Sequence, residues 1–264
     1  MIKQNLRILS LGAGVQSSTL ALMIEKGQIP MVDASIFADT QAESQETIEF
    51  LNWLKTKLSY PLYIISKGNL TKHLLKTDFP DAPFYSFNIK TGKKGLMLRQ
   101  CTNVYKVQPI IQKVRQLLGY SKGQRVKKGT KVEMLMGISK DEIFRAKPNR
   151  MPYIENVYPL IEKRLSRQDC VNWFNKYYDK KPPRSACIYC PYKNDREWMH
   201  LKKNNPKEWN DVVEFDKKIR NNSRKKEEEV YVHKSCKPID QVDFDPDKNQ
   251  LNLFNNECEG LCGV

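Results

Sequence analysis

The chain has 264 residues, enough for one large domain or for a domain with an appendage, and too many for a peptide-like binding module. Its 40% hydrophobic and 28% charged residues describe a globular protein, and no apolar run approaches the roughly 20 residues that a membrane-crossing helix needs. A formal net charge of +15 favours polyanionic partners or an anionic substrate.

No cleavage pattern follows Leu11, so a cytoplasmic protein without a signal peptide is expected. Leu6 to Leu11 is a short apolar run that ends at the turn Gly12-Ala13-Gly14. A helix from about Gln16 to Lys26 follows, stopped by Gly27 with Pro30 beyond. Asp33 to Ala38 reads as a second strand. Ile48, Leu51, Leu54 and Leu58 mark one helical face ending before Pro61, and Leu62 to Ile65 is a third strand. Strands alternating with helices argue for parallel pairing and right-handed crossovers, hence an α/β fold with an open, mostly parallel sheet flanked by helices.

Val104, Val107, Ile110, Ile111, Val114, Leu117 and Leu118 form a helical stripe closed by Gly119. Between Ser121 and Lys131 stand Lys122, Arg125, Lys127, Lys128 and Lys131 with no acid, which reads either as a solvated loop or as a nucleic-acid contact. Val132 to Met136 is a further buried strand. After about Ser166 the composition turns to aromatics, a Cys pair and mixed-charge helices, so residues 1–165 are expected as the α/β domain and 166–264 as a Cys-containing helical or irregular extension. Arg220 to Glu229 reads as a solvated helix or loop.

Seven cysteines without an export signal favour metal ligation, redox chemistry or burial over a disulfide framework. Cys187-Ile188-Tyr189-Cys190 is a C-x-x-C whose thiolates could clamp one metal or one edge of a cluster, with zinc and iron–sulfur both open. His73, His200 and His233 are singletons, expected at the surface or in the core. Trp173, Trp198 and Trp209 are expected to pack in the core, and Cys236 has no partner pattern.

The strand feeding Ser10-Leu11-Gly12-Ala13-Gly14-Val15-Gln16-Ser17-Ser18 and then a helix could cradle a phosphate, because glycines bring backbone N–H groups close and the serines add donors. The residues alone fit neither the Walker nor the dinucleotide pattern, and on them a tight strand–helix turn with Ser capping is the favoured reading.

This segment resembles the phosphate loop of the adenine nucleotide α-hydrolase-like enzymes, or N-type ATP pyrophosphatases, with Gln16 where an Asp is usual. Further segments are similar to the phosphoadenosine phosphosulfate (PAPS) reductase branch. They are Phe37-Ala38-Asp39-Thr40 with Glu43, Cys101-Thr102-Asn103-Val104-Tyr105-Lys106 running to Pro109, Gly137-Ile138-Ser139-Lys140-Asp141-Glu142 with Arg145, Tyr158-Pro159-Leu160, and Asp169 to Trp173. The likeness spans roughly residues 6 to 192.

The resemblance implies a Rossmann-like domain binding ATP, PAPS or adenosine phosphosulfate (APS) through Ser10, Gly12, Gly14, Gln16, Ser17, Ser18, Asp39, Thr40, Lys106, Gly137, Ser139 and Arg145, with Mg2+ as an accessory ion. It also implies a four-iron four-sulfur cluster. Cys101 matches the first cysteine of the family's pair and Thr102 replaces the second. Cys101, Cys170, Cys187 and Cys190 are therefore the expected ligands, with zinc as the alternative and Cys258 or Cys262 as a substitute for Cys101. The family's nucleophilic Glu-Cys-Gly tail is similar to Glu257-Cys258 and to Cys262-Gly263, which makes Cys258 and Cys262 the candidate catalytic thiols; a structural clip, a metal donor or a flexible tail is the other reading.

The activity expected first is ATP-dependent activation followed by sulfur transfer to DNA or RNA, with a sulfur donor protein as partner. A thiol-dependent PAPS or APS reductase, served by a thiol reductant protein, is the second reading. A non-enzymatic nucleic-acid-binding protein with a structural zinc or iron–sulfur centre is the third.

Overall fold

The structure, a computed structural model, describes residues 4–77, 82–223 and 225–244. In chain order come β1 (Asn5–Leu11), α1 (Val15–Glu25), β2 (Ala34–Ala38), α2 (Gln45–Lys55), β3 (Leu62–Ile65) and α3 (Leu70–Lys76). β4 (Tyr85–Asn88), β5 (Lys94–Leu96), a one-turn π-helix (Asn103–Val107), α4 (Gln108–Leu117) and β6 (Lys131–Met136) follow. The chain continues through a 3-10 segment (Lys140–Arg145), β7 (Ile154–Val157), α5 (Pro159–Glu162), α6 (Arg167–Tyr177), α7 (Asp195–Asn204), α8 (Pro206–Lys218) and β8 (Glu228–Tyr231).

Whereas composition divides the chain near 165, packing divides its described residues into two compact units, 4–67 with 102–185, and 68–101 with 186–244. The first unit is the expected α/β fold: five parallel strands in the order β3-β2-β1-β6-β7. Period-two alternation along the strands builds a core on each face. Leu6 and Ile8 of β1, Ile36 of β2 and Val132 and Met134 of β6 meet Ile110, Val114 and Leu118 of the helical stripe. Leu9, Leu11, Phe37 and Leu135 point the other way, onto α1, α2 and Phe174 of α6. Ile110, Val114 and Leu118 are each fully buried, and a residue so buried contributes about 1.5–3 kcal/mol. α1 has no polar face because it is covered all round: every residue from Val15 to Ile24 is buried. Local chemistry sets the other helix starts. The Ser44 side chain accepts from the Thr47 N–H to open α2, and Ser166 with Asp169 forms a capping box on α6.

The second unit holds a three-stranded antiparallel sheet, β5-β4-β8, that the sequence pattern does not announce. The segment 220–229, expected as a solvated helix or loop, ends in the first two residues of β8, half-buried Glu228 and Glu229, and the strand continues into buried Val230 and Tyr231. Trp198 of α7 is fully buried, and Tyr189 stacks on Phe215 of α8 at 4.0 Å between ring centroids. Buried Asp216 accepts from the N–H groups of Val232 (2.9 Å) and Ile239 (3.2 Å) and pairs with Arg220. His233 is a core residue, 3.2 Å from Asp195 Oδ1 through Nε2 and 2.8 Å from Ser235 Oγ through Nδ1. Among the described residues no helix is long and apolar enough to cross a membrane.

Candidate nucleotide site

From β1 the chain builds outward through β2 to β3, and later returns to build β6 and β7 on the other side of β1. The carboxyl ends of β1 and β6 therefore flank a topological switch point, where open α/β sheets bind ligands. The β1–α1 turn and the segment after β6 border it. Ala13 adopts left-handed backbone (φ 60°) and Gly14 is extended at the N-cap of α1 (φ −90°, ψ −176°). The Gly12 N–H donates to Ser17 Oγ at 3.2 Å, so Ser17 braces the turn from within. A Cβ on Gly137 would stand 2.6 Å from Ser17 Cα, which is the closeness that requires glycine there.

Unlike α2 and α6, α1 has no side-chain cap at its N-terminus. The amides of Val15, Gln16 and Ser17 have no carbonyl one turn earlier inside the helix, and all three residues are buried. Ser10 Oγ and Ser18 Oγ are likewise buried without a hydrogen-bond partner among the described residues. Such a concentration of unused donors, with the positive end of the helix dipole, suits an anion.

Charged side chains form two groups, one on this turn and one after the carboxyl end of β2. In the first, Gln16 Nε2 donates to Glu142 Oε2 (2.8 Å) and to Ser139 Oγ (3.3 Å), while its Oε1 accepts from Arg167 Nη1 (2.7 Å). Arg145 Nη1 donates to the other oxygen of Glu142 at 2.7 Å. In the second, after the carboxyl end of β2, Glu43 Oε1 accepts from Thr40 Oγ1 (3.1 Å) and lies 3.1 Å from Lys106 Nζ. The Glu43 side chain is fully buried and its Oε2 has no hydrogen-bond partner among the described residues. Asp39 accepts from the Gln41 N–H at 2.7 Å, which shapes the turn after β2 rather than capping a helix. Three cations thus stand against two buried carboxylates. Nearby, hydrogen bonds from the Ser166 side chain and backbone hold the Asp169 carboxyl below its usual range.

The expected nucleotide residues accordingly fall at the carboxyl edge of one sheet: Gly12, Gly14, Gln16, Ser17, Ser18, Gly137, Ser139 and Arg145 around the switch point, with Asp39, Thr40 and Lys106 beside β2. Arg145 and Lys106 are each matched by a buried carboxylate, and Ser17 also braces the turn itself. Sequence reasoning quoted Glu43 and Glu142 inside motifs without giving them a role and passed over Arg167. A buried cation needs a countercharge, and that requirement was the available signal for both acids.

The cysteines divide. Cys187 and Cys190 lie in the second unit on one turn, with the Cys190 N–H donating to the Cys187 carbonyl at 3.0 Å, a shape compatible with two thiolates on one metal. Cys101 belongs to that unit as well. Cys170, expected as a ligand, is instead a core residue of the first unit: it is 0% exposed within the apolar cluster of Leu20, Leu22 and Phe174, and its carbonyl accepts from Thr19. That surrounding does not fit a cluster ligand. Among the described residues no three His, Cys, Asp or Glu side chains come together as a metal site. Cys258 and Cys262 lie outside the described residues. The lysine-rich segment 121–131 joins α4 to the start of β6, at the opposite end of the strands from the β1–α1 turn, about 20 Å away by strand length.

No protein-family model matches the chain. An uncharacterized protein of Methanocaldococcus jannaschii is 24% identical over 226 residues, which are 80% of this chain and 47% of that protein. The chain thus spans about half the length of the curated relative it matches. Among solved structures, the phosphate complex of phosphoadenylyl-sulfate (PAPS) reductase from Candida auris is similar over 69% of this chain and 76% of that one, at 12% identity and a TM-score of 0.40. The U34-tRNA thiolase NcsA from Methanococcus maripaludis, solved with its [4Fe-4S] cluster, is similar over 82% of this chain and 73% of its own, at 15% identity and a TM-score of 0.35.

Proposed function

We propose that the chain is an enzyme that binds an adenine nucleotide at the β1–α1 turn and uses it to activate a nucleic-acid group for sulfur transfer. One observation carries the reading: the uncapped, buried N-terminus of α1 at the switch point, with Arg167 bonded to its Gln16 and Arg145 joined to Gln16 through Glu142. In the reaction proposed, an oxygen of the acceptor attacks the α-phosphorus of ATP and pyrophosphate leaves. A sulfur donor then displaces AMP from the activated position. The turn amides would hold the phosphates, and the contacts of Arg145 with the Glu142 carboxylate and of Arg167 with the Gln16 amide oxygen would keep the guanidinium planes oriented toward charge that builds on the leaving pyrophosphate. The motif resemblance described above supports the adenine nucleotide, and the +15 charge supports a polyanionic acceptor. A metal–thiolate centre is part of the proposal only through Cys187 and Cys190, and no step is routed through it.

The test is calorimetric titration with ATP, AMP and PAPS, followed by assays for pyrophosphate and sulfite. Nucleic-acid-dependent pyrophosphate release from ATP is the expected result. Sulfite release from PAPS with a thiol would establish the reductase instead, and binding of none of these nucleotides would remove the proposal. Metal analysis and visible absorption of the anaerobically purified protein, with Cys187→Ser as control, decide between iron–sulfur, zinc and no metal.

A further inference from the structure

The 3-10 segment that carries Glu142 and Arg145 presents two large apolar side chains outward: Ile143 is 58% exposed and Phe144 is 73% exposed. Neither contributes to a core, and an aromatic ring left in water asks for a partner. Immediately after them the chain lines a cavity of about 230 Å³ with Arg145, Lys147, Asn149 and Arg150, closed by Asn103 of the π-helix and by Tyr158. No acid lines this cavity among the described residues. The walls are held in shape: Asn149 Nδ2 donates to Asn156 Oδ1 (3.0 Å), Asn156 Nδ2 donates to the Lys147 carbonyl (2.9 Å), and Tyr158 Oη donates to the same carbonyl (2.6 Å). The cavity is below the roughly 300–1,000 Å³ of sites that enclose whole small molecules, a size that suits one phosphate and its sugar. It is also physically joined to the nucleotide site, because Arg145 lines it and Asn103 shares a single helical turn with Lys106.

We infer that this pocket and Phe144 form the acceptor dock: a single-stranded nucleic acid places one phosphodiester among Arg145, Lys147 and Arg150 and stacks an unpaired base on the Phe144 ring. The inference rests on the sulfur-transfer reading and gives that reading a strand-binding surface. Cations beside an exposed aromatic ring are the combination that holds single strands, since phosphates are neutralised and any base has a face to stack. A duplex keeps its bases within its own stack, so it cannot use the ring. The lysine-rich segment 121–131, at the far end of the strands, is not part of this dock.

The test uses the full chain and fluorescently labelled RNA and DNA of about 20 nucleotides, single-stranded and duplex, with anisotropy read across a salt series. Phe144→Ala is expected to weaken single-strand binding on the order of 5- to 100-fold, with Phe144→Trp retaining it. Lys147→Ala with Arg150→Ala should lower the salt slope by about 0.7, the share of the one phosphodiester that they hold on a single strand. All three side chains are exposed, and unchanged thermal melting and ATP affinity serve as folding controls. The RNA and DNA arms identify the acceptor's sugar. Wild-type binding that neither variant alters, duplex bound as tightly as single strand, or equal displacement by a polyglutamate peptide would each overturn the dock while leaving the nucleotide reading intact. If the wild type binds no oligonucleotide, the nucleic-acid acceptor falls together with the dock.

Discussion

Replacing Gln16 by glutamate changes one amide nitrogen to an oxygen at the centre of the buried network. The lost contact is the 2.8 Å hydrogen bond to Glu142 Oε2, with the weaker 3.3 Å bond to Ser139. A hydrogen bond to a charged group is worth about 1.5–3 kcal/mol, and two carboxylates about 4 Å apart repel by roughly 4 kcal/mol at an effective dielectric near 20. Arg145 and Arg167, already bonded into the network, return part of that repulsion. A net loss of about 2–4 kcal/mol near pH 8 is therefore expected, read as a drop of about 1 M in the urea midpoint by circular dichroism. The sign with pH follows. One of the two crowded carboxyls has its folded-state pKa raised, so the folded variant binds more protons than the unfolded chain, and stability rises as pH falls toward about 5.5. There a shared proton restores a donor between the two side chains. A variant that unfolds at the wild-type midpoint near pH 8, or whose deficit is the same at both pH values, would falsify the network as drawn.

Three other outcomes follow from the geometry. Lys106→Met leaves the fully buried Glu43 carboxylate uncompensated and should cost about 3–5 kcal/mol in denaturant unfolding, with Glu43→Gln in the same chain recovering part of it. Gly137→Ala pushes a methyl against Ser17 backbone and should lower the melting temperature by the equivalent of about 1–3 kcal/mol while weakening ATP binding measured by calorimetry; an unaltered variant would mean that the two segments do not touch. Burial, against the pull of Asp195, holds the His233 pKa below 6.5, so this group's contribution is present above that value and is lost as the unfolded chain takes up a proton below it. Hydrogen exchange in the second unit should accelerate as pH drops through that range after correction for intrinsic rates, and His233→Gln should flatten the dependence.

The parallel sheet was legible because its signals are local. Leu6 to Leu11, Ala34 to Ala38 and Leu62 to Ile65 each end in turn residues, and the stripe from Ile110 to Leu118 repeats at helical spacing. The second unit was not, for two reasons. Its strands are short and lack a clean alternation, Tyr85–Asn88 being half-buried throughout and Lys94–Leu96 exposed throughout. Its sheet also joins residue 85 to residue 231, a pairing that no window of sequence contains. The site followed the same rule. The turn at Gly12 to Gly14 advertises itself, whereas the partnership of Gln16 with Glu142 and Arg167 spans 126 and 151 positions and exists only after folding. Cys170 misled because spacing cannot tell a thiol that faces a metal from one that faces leucines.

The central strand also dictates how the molecule must be made. Asn5 pairs with Lys131 and Ser10 with Met136, so one side of β1 stays bare until the ribosome has passed β6. At about 5–20 residues per second, the nascent chain carries an unzipped apolar edge for on the order of ten seconds. Throughout that interval the growing polypeptide can recruit a foreign strand, and expression at low temperature or with a holdase that shields such edges should raise the yield of active protein.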